Sequence, residues 1–290
     1  MFNPIIITGA TGFIGRHLLR RSSESNIPAL PVVRSTDKAR GLGLDDFMMF
    51  TDLNSRKGTL ERFRSGSLIH LAGASRSEIG ASIWDAIVST TKSAVTAAQE
   101  CGIKRITYLS GFGVTVHSSE MYFQAKAEAE EIIRSSGIPY TIFRCSYILG
   151  TGDELTPYLV DQLRAGKVEV PGSGLFLLQP TYVKDIVQVL LNSTIDQTTE
   201  NHTINLLGDP VSYKGLVELL AKKVAPDAQI VHVDIEEFLR RALLSRDPVF
   251  TISELAVLVC NLHDTPVHDC FGVRIRSVTE FLDEILQSYT

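Results

Sequence analysis

The chain is short of cysteine and tryptophan, has no excess of basic charge, and contains no apolar run of membrane-spanning length. Each shortage excludes something. The four cysteines, Cys101, Cys145, Cys260 and Cys270, make neither a CxxC pair nor a zinc-ligand spacing, so a disulfide framework and a structural zinc site are not expected. A reducing cytoplasm is the expected setting. Lys and Arg total 28 against 33 Asp and Glu, a net charge of −5, which argues against a nucleic-acid binder with its basic face. The apolar stretch Leu255–Cys260 is far too short to span a bilayer. No basic-then-apolar leader precedes Pro4, so no secretory signal is expected. His263 and His268 flank Asp264 and Asp269 without a metal spacing, and no metal site is expected. What remains is a cytoplasmic protein, monomer or homodimer, whose partner is a small molecule rather than nucleic acid or membrane.

Of the 290 residues 44% are hydrophobic and 21% charged, enough for one large domain or two joined ones. The first half alternates strand and helix. Ile5-Ile6-Ile7 is a continuous apolar run, as in a strand buried on both faces of a parallel sheet. A helix opens at about Phe13. Further strands are predicted at Ala29–Val33 (Pro31 suggesting an irregular or edge-like start), Phe47–Phe50, Leu68–Leu71, Ile106–Leu109 and Tyr140–Phe143. Helices are predicted over 83–100 and 121–135. This order predicts an α/β fold, a Rossmann-type doubly wound parallel sheet over residues 1–150, with 181–206 returning to it. Residues 151–290 are expected to form a smaller α/β substrate-binding part, with helices near 183–191, 213–224, 252–262 and 278–287 and a strand at 230–233.

Between the first strand and first helix stands Thr8-Gly9-Ala10-Thr11-Gly12-Phe13-Ile14-Gly15. Glycines punctuate turns everywhere, but here they open an amphipathic helix, whose N–H groups and dipole then face a phosphate. Gly9 permits the tight turn, Gly12 lets a pyrophosphate approach, and Gly15 lets helix and strand pack closely. Thr11, Phe13 and Ile14 complete the loop. The second strand ends in Val33-Arg34-Ser35 with no acid until Asp37. An acid there would bind the ribose hydroxyls of NAD, whereas arginine pairs with a 2′-phosphate. NADP is therefore expected, with NAD second. Arg16 stands ready to assist.

Tyr122 and Lys126 are four residues apart at the start of a helix, on one face. A neighbouring ammonium favours the phenolate, which lets the tyrosine exchange a proton with a carbonyl or carbinol oxygen. Of the eight tyrosines only Tyr122 has a lysine at i+4.

These motifs, with His70-Leu71-Ala72-Gly73, Tyr108-Leu109-Ser110, the segment Ser136–Arg144 and Gln179-Pro180-Thr181-Tyr182-Val183-Lys184-Asp185-Ile186, span nearly the whole chain. It resembles the short-chain dehydrogenase/reductase superfamily in its extended or atypical branch, with epimerase/dehydratase-like, NmrA-like and complex I-associated members nearest in style. The resemblance implies that Ser110 polarises the substrate oxygen, with Thr115 as the alternative. It implies that Tyr122 is the general acid/base, and that Lys126 holds the nicotinamide ribose and tunes the phenol. Leu71, Ala72 and Gly73 would line the cofactor, and Asp52 and Leu53 would approach the adenine. His70 is expected to be a packed residue.

An NADP-dependent reductase or dehydrogenase acting on a small apolar or aromatic carbonyl compound is thus the leading expectation. The alternatives are a non-catalytic NAD(P)-sensing regulator or assembly factor, and a sugar-nucleotide epimerase or dehydratase. Against the last, only eleven residues separate Ser110 from Tyr122, and Arg144-Cys145-Ser146-Tyr147 stands where nucleotide-sugar enzymes tend to carry Arg-Pro-x-Asn.

Overall fold

The computed structural model describes residues 3–53, 60–61, 63–73, 82–196, 200–244 and 262–289. Cys260 and nearly all of the helix expected at 252–262 lie outside them. The chain divides into two compact units: Met1–Arg144 with Val183–Asn205 and Asp269–Val273, and Cys145–Tyr182 with Leu206–His268 and Arg274–Thr290. The first break falls at Arg144, a few residues before position 150, and the short segment Asp269–Val273 also returns to the first unit.

The first unit is built on a seven-stranded parallel sheet. Its strands are β1 (Ile5–Thr8), β2 (Ala29–Val33), β3 (Met48–Met49), β4 (Ser67–His70), β5 (Arg105–Gly111), β6 (Tyr140–Cys145) and β11 (His202–Leu206), in the order β11-β6-β5-β4-β1-β2-β3. The chain reverses direction of travel across the sheet between β1 and β4, the switch point where such sheets bind ligands at their carboxyl ends. Every residue of β1 and β4 is buried, which is why Ile5-Ile6-Ile7 and Leu68-Ile69 show no polar alternation. On one face Ile6, Leu30, Val32, Leu68, Ile106 and Ile142 pack with Ile87, Ala94, Ala125 and Ile133 of the covering helices. Each such side chain, fully buried, contributes about 1.5–3 kcal/mol if it is Val, Leu or Ile. On the first unit's other helices, Phe13–Glu24 packs along Val183–Ser193, with Arg21 Nε donating to Gln188 Oε1 at 2.7 Å.

β2 lies between β1 and β3, but β3 meets it only at Val32 and Val33, so the strand's start is edge-like as Pro31 suggested, that residue pairing across to Ile7 alone. One expectation needs correction: the sheet also gains β11, for which no strand was expected. Its first two residues are exposed and only Leu206 is buried, so it lacks the apolar run that marks an interior strand.

In the second unit, β8 (Lys167–Pro171) pairs in parallel with β13 (Gln229–Val233). Helices Leu155–Arg164 and Tyr213–Val224 pack together there, burying Leu159, Leu163, Leu216 and Leu220. Tyr182 stacks on Phe281 with centroids 4.9 Å apart, and the Arg276 guanidinium lies 4.4 Å over the same tyrosine ring. Gln179, 1% exposed, clasps a later segment: its amide donates to the carbonyls of Gly208 and Asp264 and accepts from Asp264 N–H. No helix among the described residues is long and apolar enough to cross a membrane.

Candidate active site

The glycine turn sits at the carboxyl end of β1. Gly9 has φ of +71°, a conformation that side chains strain to adopt, and a Cβ on it would stand 2.8 Å from the Ala72 nitrogen. A Cβ on Gly15 would stand 2.3 Å from the Gly9 carbonyl oxygen, so helix and turn meet at glycine distance. Gly12 is the exposed N-cap of helix Phe13–Glu24. No side chain caps that helix and no acid lies in its first turn. The first helical amides are thus left to an external acceptor in a locally positive field, which fits a pyrophosphate. The two glycines should fail differently. Gly15→Ala forces backbone apart and should lower stability by about 1–3 kcal/mol. Gly12→Ala, whose Cβ meets only the Gly9 oxygen at 3.2 Å, should fold normally and lose dinucleotide affinity. Melting curves beside nucleotide titrations check this.

Arg34 is exposed one residue past β2, and Ser35 caps the following helix by accepting from Lys38 N–H at 3.2 Å. The cap fixes the backbone just after the arginine. Asp52 is half-buried beyond β3. Leu53 is 3% exposed and packed into the core. Leu71 and Ala72 are half-buried and buried at the end of β4, and Gly73 is exposed.

Lys126 is the centre of the site. Although charged, it is only 8% exposed. Its Nζ donates to the Leu109 carbonyl at 3.0 Å and lies 4.8 Å over the Tyr108 ring and 6.0 Å from the Tyr122 ring centroid. A Cβ on Gly73 would be 3.7 Å from the same nitrogen. The ammonium therefore sits beside the β4 loop and against both aromatic rings, where cation–π attraction holds it. The Tyr122 hydroxyl lies 3.5 Å from where a Cβ on Gly111 would stand, so the glycine leaves room over the phenol. The structure thus gathers Tyr122, Lys126, Gly73 and the end of β5.

Ser110 is turned to a different task. It is buried, and its hydroxyl donates to Glu130 Oε1 at 2.7 Å. Thr115 is exposed, with its hydroxyl oxygen accepting from His117 N–H at 3.3 Å. Glu130 is fully buried and also takes a two-pronged contact from Arg144, at 2.9 and 2.7 Å, and one from Arg134 at 2.6 Å. Burial alone would raise the Glu130 carboxyl, but the Arg144 and Ser110 hydrogen bonds outweigh it and hold the group below its usual range. Sequence reasoning missed Glu130. The signal was there: Tyr122, Lys126, Glu130 and Arg134 recur every four residues, one continuous helix stripe.

His70 was expected to be packed, and it is 1% exposed, stacked on Tyr108 at 5.4 Å. One tautomer satisfies all its neighbours. The Thr91 hydroxyl donates to the Ile87 carbonyl at 2.7 Å and so accepts from His70 Nε2–H at 3.0 Å. Nδ1 then accepts from the Thr8 hydroxyl at 2.6 Å, whose oxygen receives Ala72 N–H at 3.4 Å. Burial, reinforced by the Lys126 charge, lowers the imidazole to about 3, and it stays neutral. Ile87 belongs to a π-helical turn, Asp85–Ser89, where freed carbonyls are taken by threonine hydroxyls. The histidine therefore ties β1, the β4 loop and this turn together beside Lys126.

The chain is similar to several known proteins. The chain is 24% identical to phenylcoumaran benzylic ether reductase 1 of Arabidopsis thaliana, over 99% of this chain and 98% of that one. It is 29% identical to NADH dehydrogenase [ubiquinone] 1 alpha subcomplex subunit 9, mitochondrial, of Arabidopsis thaliana, over 70% of this chain and 53% of that protein. The fold matches UDP-glucose 4-epimerase of Thermotoga maritima with a TM-score of 0.74 at 17% identity, covering 99% and 98% of the two chains. The family model for NAD-dependent epimerases and dehydratases matches residues 5–206. That span runs from β1 to β11 and holds the glycine cradle, Tyr122, Lys126 and Glu130, and the chain belongs to the NAD-dependent epimerase/dehydratase family.

Proposed function

We propose that the chain is an NADP-dependent reductase or dehydrogenase acting on a small apolar or aromatic carbonyl compound or its carbinol. The observation that carries this is the buried Lys126 ammonium, lying between the Tyr122 and Tyr108 rings and beside Gly73. When bound, the nicotinamide supplies or accepts the hydride. The amides of Phe13 and Ile14 would hold the pyrophosphate, the Gly12 N–H being taken by the Gly9 carbonyl at 3.0 Å, and Arg34 would bind the 2′-phosphate. Lys126 holds the ribose and favours the phenolate of Tyr122, so the phenol gives its proton to the substrate oxygen in reduction and takes it back in oxidation. Only eleven residues separate Ser110 from Tyr122, which favours a small substrate over a sugar nucleotide. A relative matched over nearly its whole length and named as a benzylic ether reductase favours a reductase of aromatic compounds.

A second reading, a dinucleotide-binding subunit without turnover, is favoured by the identity to the NADH dehydrogenase subunit. Assay of the protein with NADPH across a panel of aromatic and aliphatic ketones and aldehydes separates the two. NADPH-dependent reduction of at least one aromatic member supports the enzyme, and binding of NADPH without any reduction supports the subunit. NADPH should also bind more tightly than NADH, and Arg34→Asp should reverse the order. Equal affinities that the substitution leaves unchanged would remove Arg34 from the site.

A further inference from the structure

We propose that Glu130 is a positioning residue of the Tyr122–Lys126 site and that Ser110 serves it as a tether rather than touching the substrate. This rests on the reductase reading above for its catalytic arm only. Two residues flank the site at the end of β5: the Leu109 carbonyl receives Lys126, and Gly111 lies beside the Tyr122 phenol. Ser110 is the residue between them, and its hydroxyl is bound to Glu130 at 2.7 Å. Glu130 stands one helix turn beyond Lys126 on the stripe that carries Tyr122. Strand end and helix are therefore fastened at two successive residues, Leu109 to Lys126 and Ser110 to Glu130, next to the Gly111 that adjoins the Tyr122 phenol. The carboxylate cannot drift, because Arg144 at the end of β6 grips both its oxygens, at 2.9 and 2.7 Å, and Arg134 holds one from its own helix at 2.6 Å. A hydroxyl donated to such a fixed, fully buried acceptor is not offered to a substrate oxygen. If the tether is cut, the peptide units on either side of residue 110 gain freedom, and both functional side chains lose a fixed neighbour. Displacements of this kind cost rate steeply, because reacting groups must be held within small tolerances.

The test is a double-mutant cycle of Ser110→Ala and Glu130→Gln, with Ser110→Thr as the variant that keeps the hydroxyl. Three quantities are followed: kcat and KM on a substrate from the carbonyl panel, the NADPH dissociation constant, and amide exchange at residues 109–112. Each single variant should lower kcat by roughly tenfold, weaken NADPH several-fold and speed exchange at 109–112. The double variant should add little to either, since both break one tether. Ser110→Thr should restore most of each quantity. A loss of about 10²–10³ in kcat on Ser110→Ala, with NADPH affinity and exchange unchanged, would make the serine a polarising group and overturn the proposal. Lower thermal stability with kcat, KM and exchange intact would reduce Glu130 to a structural anchor. Should Glu130→Gln not fold, Ser110→Ala alone still decides, because it leaves the arginine–carboxylate cluster whole. Exchange and affinity need no turnover, so with an inactive wild type the reductase reading would fall, while unchanged exchange and affinity in Ser110→Ala would overturn this proposal and their joint loss would support it.

Discussion

Tyr122→Phe should retain NADPH affinity and melting temperature and lose all but a small residue of turnover. The substitution removes one hydroxyl and keeps the ring that packs edge-on against Phe123, at a centroid distance of 5.2 Å. Lys126 contacts the tyrosine through the ring face and is anchored independently by the Leu109 carbonyl and the Tyr108 ring. The cofactor subsite therefore survives the change. What is lost is the transferable proton, and proton transfer by a placed side chain is typically worth ~10²–10⁴-fold in rate. Lys126→Met should be worse in a different way. It removes the charge that favours the phenolate and the donor proposed for the ribose, so turnover and NADPH affinity fall together. Steady-state kinetics with fluorescence titration of NADPH separate the two patterns. If Tyr122→Phe kept full activity, the phenol would not be the acid.

The second large effect is on stability in acid. His70 titrates near 6.5 when solvated, and burial plus the Lys126 charge lower it to about 3 in the folded protein. Its depressed value means the fold prefers the neutral ring. That preference is fully present above pH 6.5 and is lost as pH falls toward 3, because the unfolded chain takes up a proton that the native one refuses. The gap corresponds to a contribution on the order of 5 kcal/mol as an upper bound. Over this range the histidine should add a slope of about 1.4 kcal/mol per pH unit to the loss of stability. Glu130, held below its ordinary value by Arg144 and Ser110, adds its own loss at the acid end. His70→Gln should cost about 1–3 kcal/mol at pH 7, where the Thr8 and Thr91 hydroxyls lose their partner. It should also flatten the curve, so that the two proteins converge as pH falls. Urea unfolding at a series of pH values from 7 to 4 measures both. Parallel curves would show that His70 does not set the acid limit.

How much of this was readable in the sequence depends on the range of each constraint. The glycine cradle was legible because its requirement is local and steric: only glycine fits at a φ of +71° or 2.3 Å from a carbonyl oxygen. The Tyr122–Lys126 pair was legible because helical spacing alone puts both residues on one face. β1 announced itself by its unbroken run of isoleucines, and β11, exposed along much of its length, did not. The direction of the Ser110 hydroxyl was not legible. It is decided by a carboxylate twenty residues later that is in turn pinned by Arg144 on another strand, a contact that no local pattern encodes. The wiring of His70 to Thr8 and Thr91 is hidden for the same reason, since its partners are 62 and 21 residues away.

The most direct test of the central claim, that Tyr122 and Lys126 form a reductase site, is the stoichiometry of NADPH consumed to carbinol formed. It is measured on an aromatic ketone or aldehyde with wild-type protein and Tyr122→Phe side by side. One carbinol should appear for each NADPH lost in the wild type, at a rate falling ~10²–10⁴-fold in the variant. Tight NADPH binding with no carbinol from either protein, across the whole carbonyl panel, would contradict it.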